Sequence, residues 1–190
     1  AVDFVETYPE IELELFLTEL VVDLVAEGYD AAIRSGVLPD SSLIAHRIVE
    51  VRYVLCASPE YLARHGTPQT PEDLAAHRSV YWCGGPNPGK WPLTFKGEQV
   101  REPMRPRLQV SHFAALQESA RRGLGLAVLP LITVQDDLDA GRLVHILQDC
   151  EADHGILSLV RPATPFEPPK LRVFIDFITE ALRARAEGRT

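Results

Sequence analysis

The sequence predicts an α/β fold, and three observations carry that expectation. Apolar and polar residues alternate in short runs such as "IELELFL" (11–17) and "EVRYVLC" (50–56), the two-residue period of a strand. Between such runs lie helix start and stop signals: Ser58 before Pro59, Thr70 before Pro71, and Gly28 after an apolar helical face. The chain is also 46% hydrophobic and 24% charged, the composition of a globular protein with enough apolar material for a core. Its 190 residues suffice for one domain or two small ones.

The opening "AVDFVETYPE" reads as the end of a helix stopped by Pro9, as if the chain were cut from something longer. In "IELELFL", Ile11, Leu13, Leu15 and Leu17 share one face and Glu12 and Glu14 the other, which predicts a strand. "ELVVDLVAEG" follows as a helix, with Leu20, Leu24 and Val25 on one face and Gly28 at its end. "YDAAIRSG" is a short strand ending in Arg34, Ser35 and Gly36. Helix, strand, helix, strand is the rhythm of a parallel sheet with crossover helices.

Val51, Tyr53 and Leu55 alternate as a strand that leads into a helix capped by Ser58 and opened by Pro59. Thr70, Pro71 and Asp73 repeat the device as a capping box. From Ser79 to Gln109 the chain is dense in Gly, Pro and aromatics, which predicts short strands joined by turns. "RLQV" is a strand, and "SHFAALQESARRG" a helix capped by Ser111 and ended by Gly123. "LGLAVLP" is a buried strand, "LITVQDDLDAG" a helix, and "RLVHIL" and "GILSLVR" strands. A proline-rich connection then leads to a long helix in which Leu171, Phe174, Ile175 and Ile178 form an apolar stripe.

Composition excludes several functions. With 19 Lys+Arg against 27 Asp+Glu the net charge is −8, so the chain repels nucleic acid phosphates. "REPMRPR", with Arg101, Arg105 and Arg107, reads as a surface edge, and Asp136 and Asp137 as a solvated helix face. No apolar run approaches the roughly 20 residues of a membrane helix. Cys56, Cys83 and Cys150 are odd in number and widely spaced, which fits neither a disulfide framework nor a metal motif and points to a reducing, cytoplasmic setting. The six histidines form no HExxH or HxH pair, and no GxSxG elbow is present, so neither metal, cofactor nor nucleophile is expected.

Gly123 and Gly125 raise the question of a phosphate loop. Such a loop places its glycines after a strand and before a helix, where backbone N–H groups face the anion. Here the order is reversed, so Gly123 is expected to stop a helix and Gly125 to permit close packing. What remains are compact polar residues at strand ends and helix starts: Arg34-Ser35-Gly36, Ser111-His112 and Leu129-Pro130. Ligands of open α/β sheets bind at the carboxyl ends of strands, and helix N-termini favour anions. A small-molecule cleft is the functional expectation, although Ser111 equally serves as an ordinary cap.

Taken in order, "FVETYPEIELEL", "VVDLVAEGYDAAIRSGVLPDSSLIAHRI", "RYVLCASPEYLARHGTPQTPEDLAAH", "GLGLAVLP" and "FEPPKLRVFIDFITEAL" resemble the effector-binding domain of LysR-type transcriptional regulators. The resemblance implies a fold like that of type 2 periplasmic binding proteins, with two Rossmann-like subdomains and a cleft between them. It places residues 1–50 and 156–190 in subdomain I and 51–155 in subdomain II. It also implies that a helix-turn-helix, a linker helix and the domain's first strand lie outside this chain. The family's pocket carries over to Thr18 and Glu19, to Arg34, Ser35 and Gly36, to Ser111, His112 and Phe113, and to Leu129 and Pro130. Trp82 or Trp91 could add an aromatic wall or simply fill the core of subdomain II.

The implied function is ligand sensing for a bacterial transcription factor, without catalysis. Its effector is expected to be a small organic, anionic molecule. Arg34 and the helix start at Ser111 suit a carboxylate, Arg34 equally suits an ion pair between lobes, and His112 would make binding pH-dependent. The resemblance implies a homodimer or homotetramer, with "IELELFL" and its flanking helix as the dimer face, DNA contact only through the N-terminal domain, and no membrane partner. Two rival functions share the fold: a solute-binding protein of a transporter, and an enzyme such as a dehydratase.

Overall fold

The computed structural model describes residues 1–18, 22–36, 43–84, 89–152, 154–164 and 166–187. In chain order the elements are α1 (Val2–Thr7), α2 (Leu24–Glu27), β1 (Ala32–Ser35), β2 (Leu43–Val51), β3 (Tyr53–Ala57) and α3 (Pro59–His65). A turn of 3-10 helix (Pro71–Ala76) leads to β4 (Ser79–Trp82), β5 (Leu93–Phe95), β6 (Glu98–Gln99) and β7 (Pro106–Val110). Then come α4 (Phe113–Arg121), β8 (Ala127–Pro130), α5 (Leu131–Asp139), β9 (Val144–His145), β10 (Cys150–Ala152), β11 (Gly155–Pro162) and α6 (Pro169–Ala186). The chain divides into two compact units: Ala1–Val51 with Gly155–Thr190, and Arg52–His154.

The local signals produce the local structure. Ser58 Oγ accepts the Tyr61 N–H at the start of α3, with Pro59 at the first helical position. Asp73 Oδ2 accepts the N–H groups of Gln69 and Thr70, completing the capping box. Asp23 caps α2 and Gly28 ends it at φ +75. That helix is only four residues long, and Leu20 lies outside the described residues.

In the first unit β11 lies between β1 and β2 and runs antiparallel to both. The expected parallel sheet with crossover helices is therefore absent at this place. A strand from the far end of the chain inserts between β1 and β2, pairing Leu159 with Ile33 on one side and His46 on the other. The expected strand at 11–17 is corrected too: the segment is irregular, and Leu15, Phe16 and Leu17 are 57%, 61% and 74% exposed. Alternation creates two faces, but a strand also needs a neighbour to accept its backbone hydrogen bonds, and no described strand runs beside this segment.

The core of this unit joins α1 to α6. Phe4 is fully buried, with the rings of Phe174 at 5.2 Å and Phe177 at 5.4 Å, both edge-on. Leu171 is buried, and Phe174, Ile175 and Ile178 are half-buried along the expected stripe. The Arg161 guanidinium pairs with Glu167 at 2.8 Å, and Arg172 meets the same carboxylate at 3.2 Å, which clips the proline-rich connection to the start of α6.

The second unit holds β3 between β8 and β9, all antiparallel, a parallel pair β4–β7, and the small antiparallel sheet β10–β5–β6. A parallel bridge from Ser79 to Leu126 ties β4 to the chain entering β8. One core cluster includes Leu55, Tyr61, Leu74, Trp91 and Leu126, and another Cys56, Val80, Leu116, Leu129 and Val134.

Asp137 corrects a further expectation. It is 3% exposed on α5, facing inward. Its carboxylate takes hydrogen bonds from Gln117 at 2.8 Å and from the Arg142 guanidinium, with Arg121 at 3.7 Å. Burial pushes this carboxyl upward, but those hydrogen bonds and charges outweigh it and hold its pKa below the usual value.

Candidate functional site

The residues carried over from the family fall in both units. In the first unit, β1 ends with Arg34 half-buried and Ser35 and Gly36 exposed. The Arg34 guanidinium donates to the Val22 carbonyl, so it holds the segment that enters α2. Gly36 donates its N–H to the Ile156 carbonyl at 3.0 Å and takes φ +94 just past the end of β1. Thr18 is exposed in the irregular segment, and Glu19 lies outside the described residues.

In the second unit the remaining five residues gather at one corner. β4 and β7 are parallel, with Trp82 in register with Val110, so both strands deliver their carboxyl ends to the same place. There β7 passes through Ser111 and His112 into α4. Ser111 was expected to cap this helix, but the cap is His112, whose Nδ1 accepts the Ala114 N–H at 3.2 Å. Cap geometry depends on which residue holds extended φ and ψ next to the first turn, and both residue types present a suitable acceptor. Ser111 and His112 are exposed. By helix geometry the N–H groups of Phe113 and Ala115 have no acceptor inside α4.

Phe113 sits in a row of rings. Trp82 stacks on it at 4.6 Å and 30°, and Tyr53 tilts against it at 6.4 Å. Tyr53 is in register with Pro130 at the end of β8. Leu129 is fully buried in the core, so it supports this corner from behind and does not line it. Trp91 is also fully buried and belongs to the core, while Trp82 stands in the aromatic row with its indole N–H unpartnered. Tyr53 was not expected here. Its signal was weak, because the same alternation that made it a strand residue gave no hint of which ring it would meet.

The glycines do what the motif order predicted. Gly123 follows the last turn of α4 at φ +70. Gly125 passes so close to Arg78 that a Cβ there would lie 2.6 Å from its carbonyl oxygen. They make a turn and a close backbone crossing, and hold no phosphate-loop geometry.

Elsewhere the molecule offers less. A groove of about 910 Å³ lies between β2 and α6, but its lining mixes Arg47 and Arg183 with Asp176 and Glu180 and does not include Arg34. Cys56 is buried, and burial, with the nearby Asp137 charge, pushes its thiol up to about 12, which leaves it unreactive. Among the described residues no three His, Cys, Asp or Glu side chains converge as metal ligands do. Among them, too, no helix is long and apolar enough to cross a membrane.

Comparison with known proteins points one way. Residues 2–183 match the model of the LysR substrate binding domain. The chain is 30% identical over 190 residues to "Probable HTH-type transcriptional regulator LtrA" of Klebsiella pneumoniae, covering 98% of this chain and 62% of that protein. The regulatory domain of CrgA, a LysR-type transcriptional regulator from Neisseria meningitidis, superposes with a TM-score of 0.85 at 31% identity, covering 95% of this chain and 89% of that one. The full-length Vibrio cholerae virulence activator AphB gives a TM-score of 0.81 at 33% identity, covering 95% of this chain and 61% of that one. The chain therefore spans about three-fifths of the length of its curated relatives. The fold these proteins share is an α/β architecture of two subdomains, like that of periplasmic binding proteins.

Proposed function

We propose, from the premise that this chain belongs to the LysR substrate-binding-domain family, that it is the ligand-sensing part of a bacterial transcription factor. Its effector is a small organic anion. The single observation that carries this reading is the corner formed by Trp82, Ser111, His112, Phe113 and Pro130. Two parallel strand ends and a helix N-terminus meet there, with apolar rings for an organic body and N–H groups for a carboxylate. In the first unit Arg34 is the cation suited to a carboxylate, and Thr18, Ser35 and Gly36, with Glu19 outside the described residues, are the other effector contacts that the family likeness carries over.

The whole regulator acts in the cytoplasm as a homodimer or homotetramer, and touches DNA only through a domain outside these residues. Effector binding favours one arrangement of the subunits, and it does so only to the extent that the two arrangements differ in affinity. The segment 11–17 and α1 form a dimer face. The relatives are named as transcriptional regulators, which disfavours the transporter alternative.

A thermal-shift screen of small organic acids tests the proposal. A ligand at about 100 times its Kd adds about 2.7 kcal/mol to apparent stability, which raises Tm by roughly 5–10 °C in a chain of this size. Arg34→Ala should abolish most of that shift. The proposal fails if no acid stabilises the protein, or if the variant keeps the full shift.

A further inference from the structure

Tyr61 is the hub of a buried polar cluster in the second unit that the effector reading does not use. The ring is 1% exposed on α3. Its hydroxyl oxygen accepts the Arg78 N–H at 2.9 Å, and stands 3.2 Å from His77 Nδ1 and 3.3 Å from the Arg78 carbonyl oxygen. A phenol has one proton to give, so it serves either the histidine or the carbonyl. His77 is 6% exposed, at the end of the 3-10 turn, where its N–H donates to the Leu74 carbonyl at 3.1 Å. The His65 ring lies 4.6 Å from that of Tyr61.

Arg78, whose N–H Tyr61 holds, also lies at a close backbone crossing. Its carbonyl accepts the Leu126 N–H at 2.8 Å, and Val80 donates back to the Leu126 carbonyl at 2.8 Å. Gly125 rides directly against it. The neighbouring Ser79 hydroxyl is buried without a partner, so the junction already lacks one hydrogen bond. β4 and β8 both start here, and they end at Trp82 and Pro130.

We propose that Tyr61 and His77 form a proton-sensitive latch, which holds the Arg78 peptide against Gly125 and Leu126 while His77 is neutral and loosens that crossing when His77 gains a proton. A neutral ring accepts the phenol proton at Nδ1. A protonated ring turns Nδ1 into a donor that competes with the Arg78 N–H for the phenol oxygen, leaves the phenol proton only the longer contact to the Arg78 carbonyl, and places a cation in a site almost closed to water. That the latch also tunes the corner formed by Trp82 and Pro130 rests on the effector reading above. The latch itself does not.

The charged and titratable neighbours are Tyr61 and His65 from α3, Asp73 from the 3-10 turn, and Arg78. Burial holds the His77 pKa below its usual 6.5, the His65 charge lowers it further, and Asp73 opposes both. Since the folded protein then binds fewer protons than the unfolded chain, its stability is complete above about pH 6.5 and drains as the pH falls toward the folded value. His145 works in the same direction, through burial and then the Arg52 charge.

The test compares wild type, His77→Asn and His145→Gln by thermal unfolding at about pH 7.5 and about pH 5.5, with histidine Cε1–Hε1 NMR titration of the wild type. Asparagine keeps an acceptor near the Nδ1 position and cannot be protonated in this range. The drop in Tm on acidification should shrink by about half or more in His77→Asn, and less in His145→Gln. A merely structural role would lower Tm equally at both pH values. If His77→Asn does not fold, the wild-type titration decides: His77 must titrate below 6.5. Titration at or above that value, or an undiminished drop in a folded variant, overturns the latch.

Discussion

In the second unit Leu55, Leu74, Trp91, Leu116 and Leu129 are all closed to solvent, whereas in the first Leu15, Phe16 and Leu17 stand more than half exposed. Of the ten exposed large hydrophobic side chains among the described residues, eight belong to the first unit: Val2, Val5, Leu15, Phe16, Leu17, Val25, Ile33 and Phe166. The second unit surrounds β3 with β8 and β9 and backs them with two core clusters. The first has a three-stranded sheet and a core built around Phe4 and α6. The difference teaches that apolar patterning is a statement about what a segment can bury. Whether it does so depends on partners that the segment itself does not encode.

The sharpest way to break this comparison is to remove matched leucines. Leu129→Ala should cost about 3 kcal/mol, since the side chain is fully buried and its truncation leaves a cavity. Leu15→Ala should cost less than about 0.5 kcal/mol. Chemical denaturation with a common m-value checks both. Leu129→Ala also separates core from pocket: molecules that still fold should keep the effector-induced thermal shift.

A pair of glycines gives the next largest contrast. Gly125→Ala must push a Cβ against the Arg78 backbone, and should cost about 2 kcal/mol. Gly28→Ala in the first unit meets no atom within 4 Å and is strained only by its φ of +75, so its cost is about 1 kcal/mol. Equal losses at the two positions would mean that the close crossing at Arg78 relaxes freely, which would also weaken the case for the latch built on it.

What was legible in the sequence follows the same line. Ser58-Pro59, Thr70-Pro71-Asp73 and Gly28 act within one helical turn, and the structure uses all three as read. The order of Gly123 and Gly125 between α4 and β8 was local too, and the structure has the helix stop and the close backbone approach it predicted. Failures came where the answer lay far along the chain. The segment 11–17 and β1 read as strands of one parallel sheet, but 11–17 is irregular and β1 pairs antiparallel with β11, more than a hundred residues later. Asp136 and Asp137 looked alike, and only the approach of Gln117 and Arg142 makes the second a buried anchor. At the candidate site, Ser111 and His112 were readable as candidates from a strand-to-helix boundary, whereas Phe113 came only from the family resemblance. Trp82 was readable only as an alternative, because burial decides between wall and core, and it put Trp91 in the core.

The smallest expected effect on stability carries the most information about the first unit. Changing Leu15 and Leu17 together to Gln replaces two exposed apolar side chains without touching a described hydrogen bond, so the unfolding free energy should move by less than about 0.5 kcal/mol. If segment 11–17 is part of a dimer face, the same change should lower the dimer fraction seen by light scattering at equal chain concentration, since burying the removed methylenes contributes about 0.8 kcal/mol each. Unchanged stability with unchanged association would leave these side chains exposed in solution and place the dimer face elsewhere. A stability loss above about 2 kcal/mol would show instead that the segment packs into the fold in solution, as its alternation first suggested.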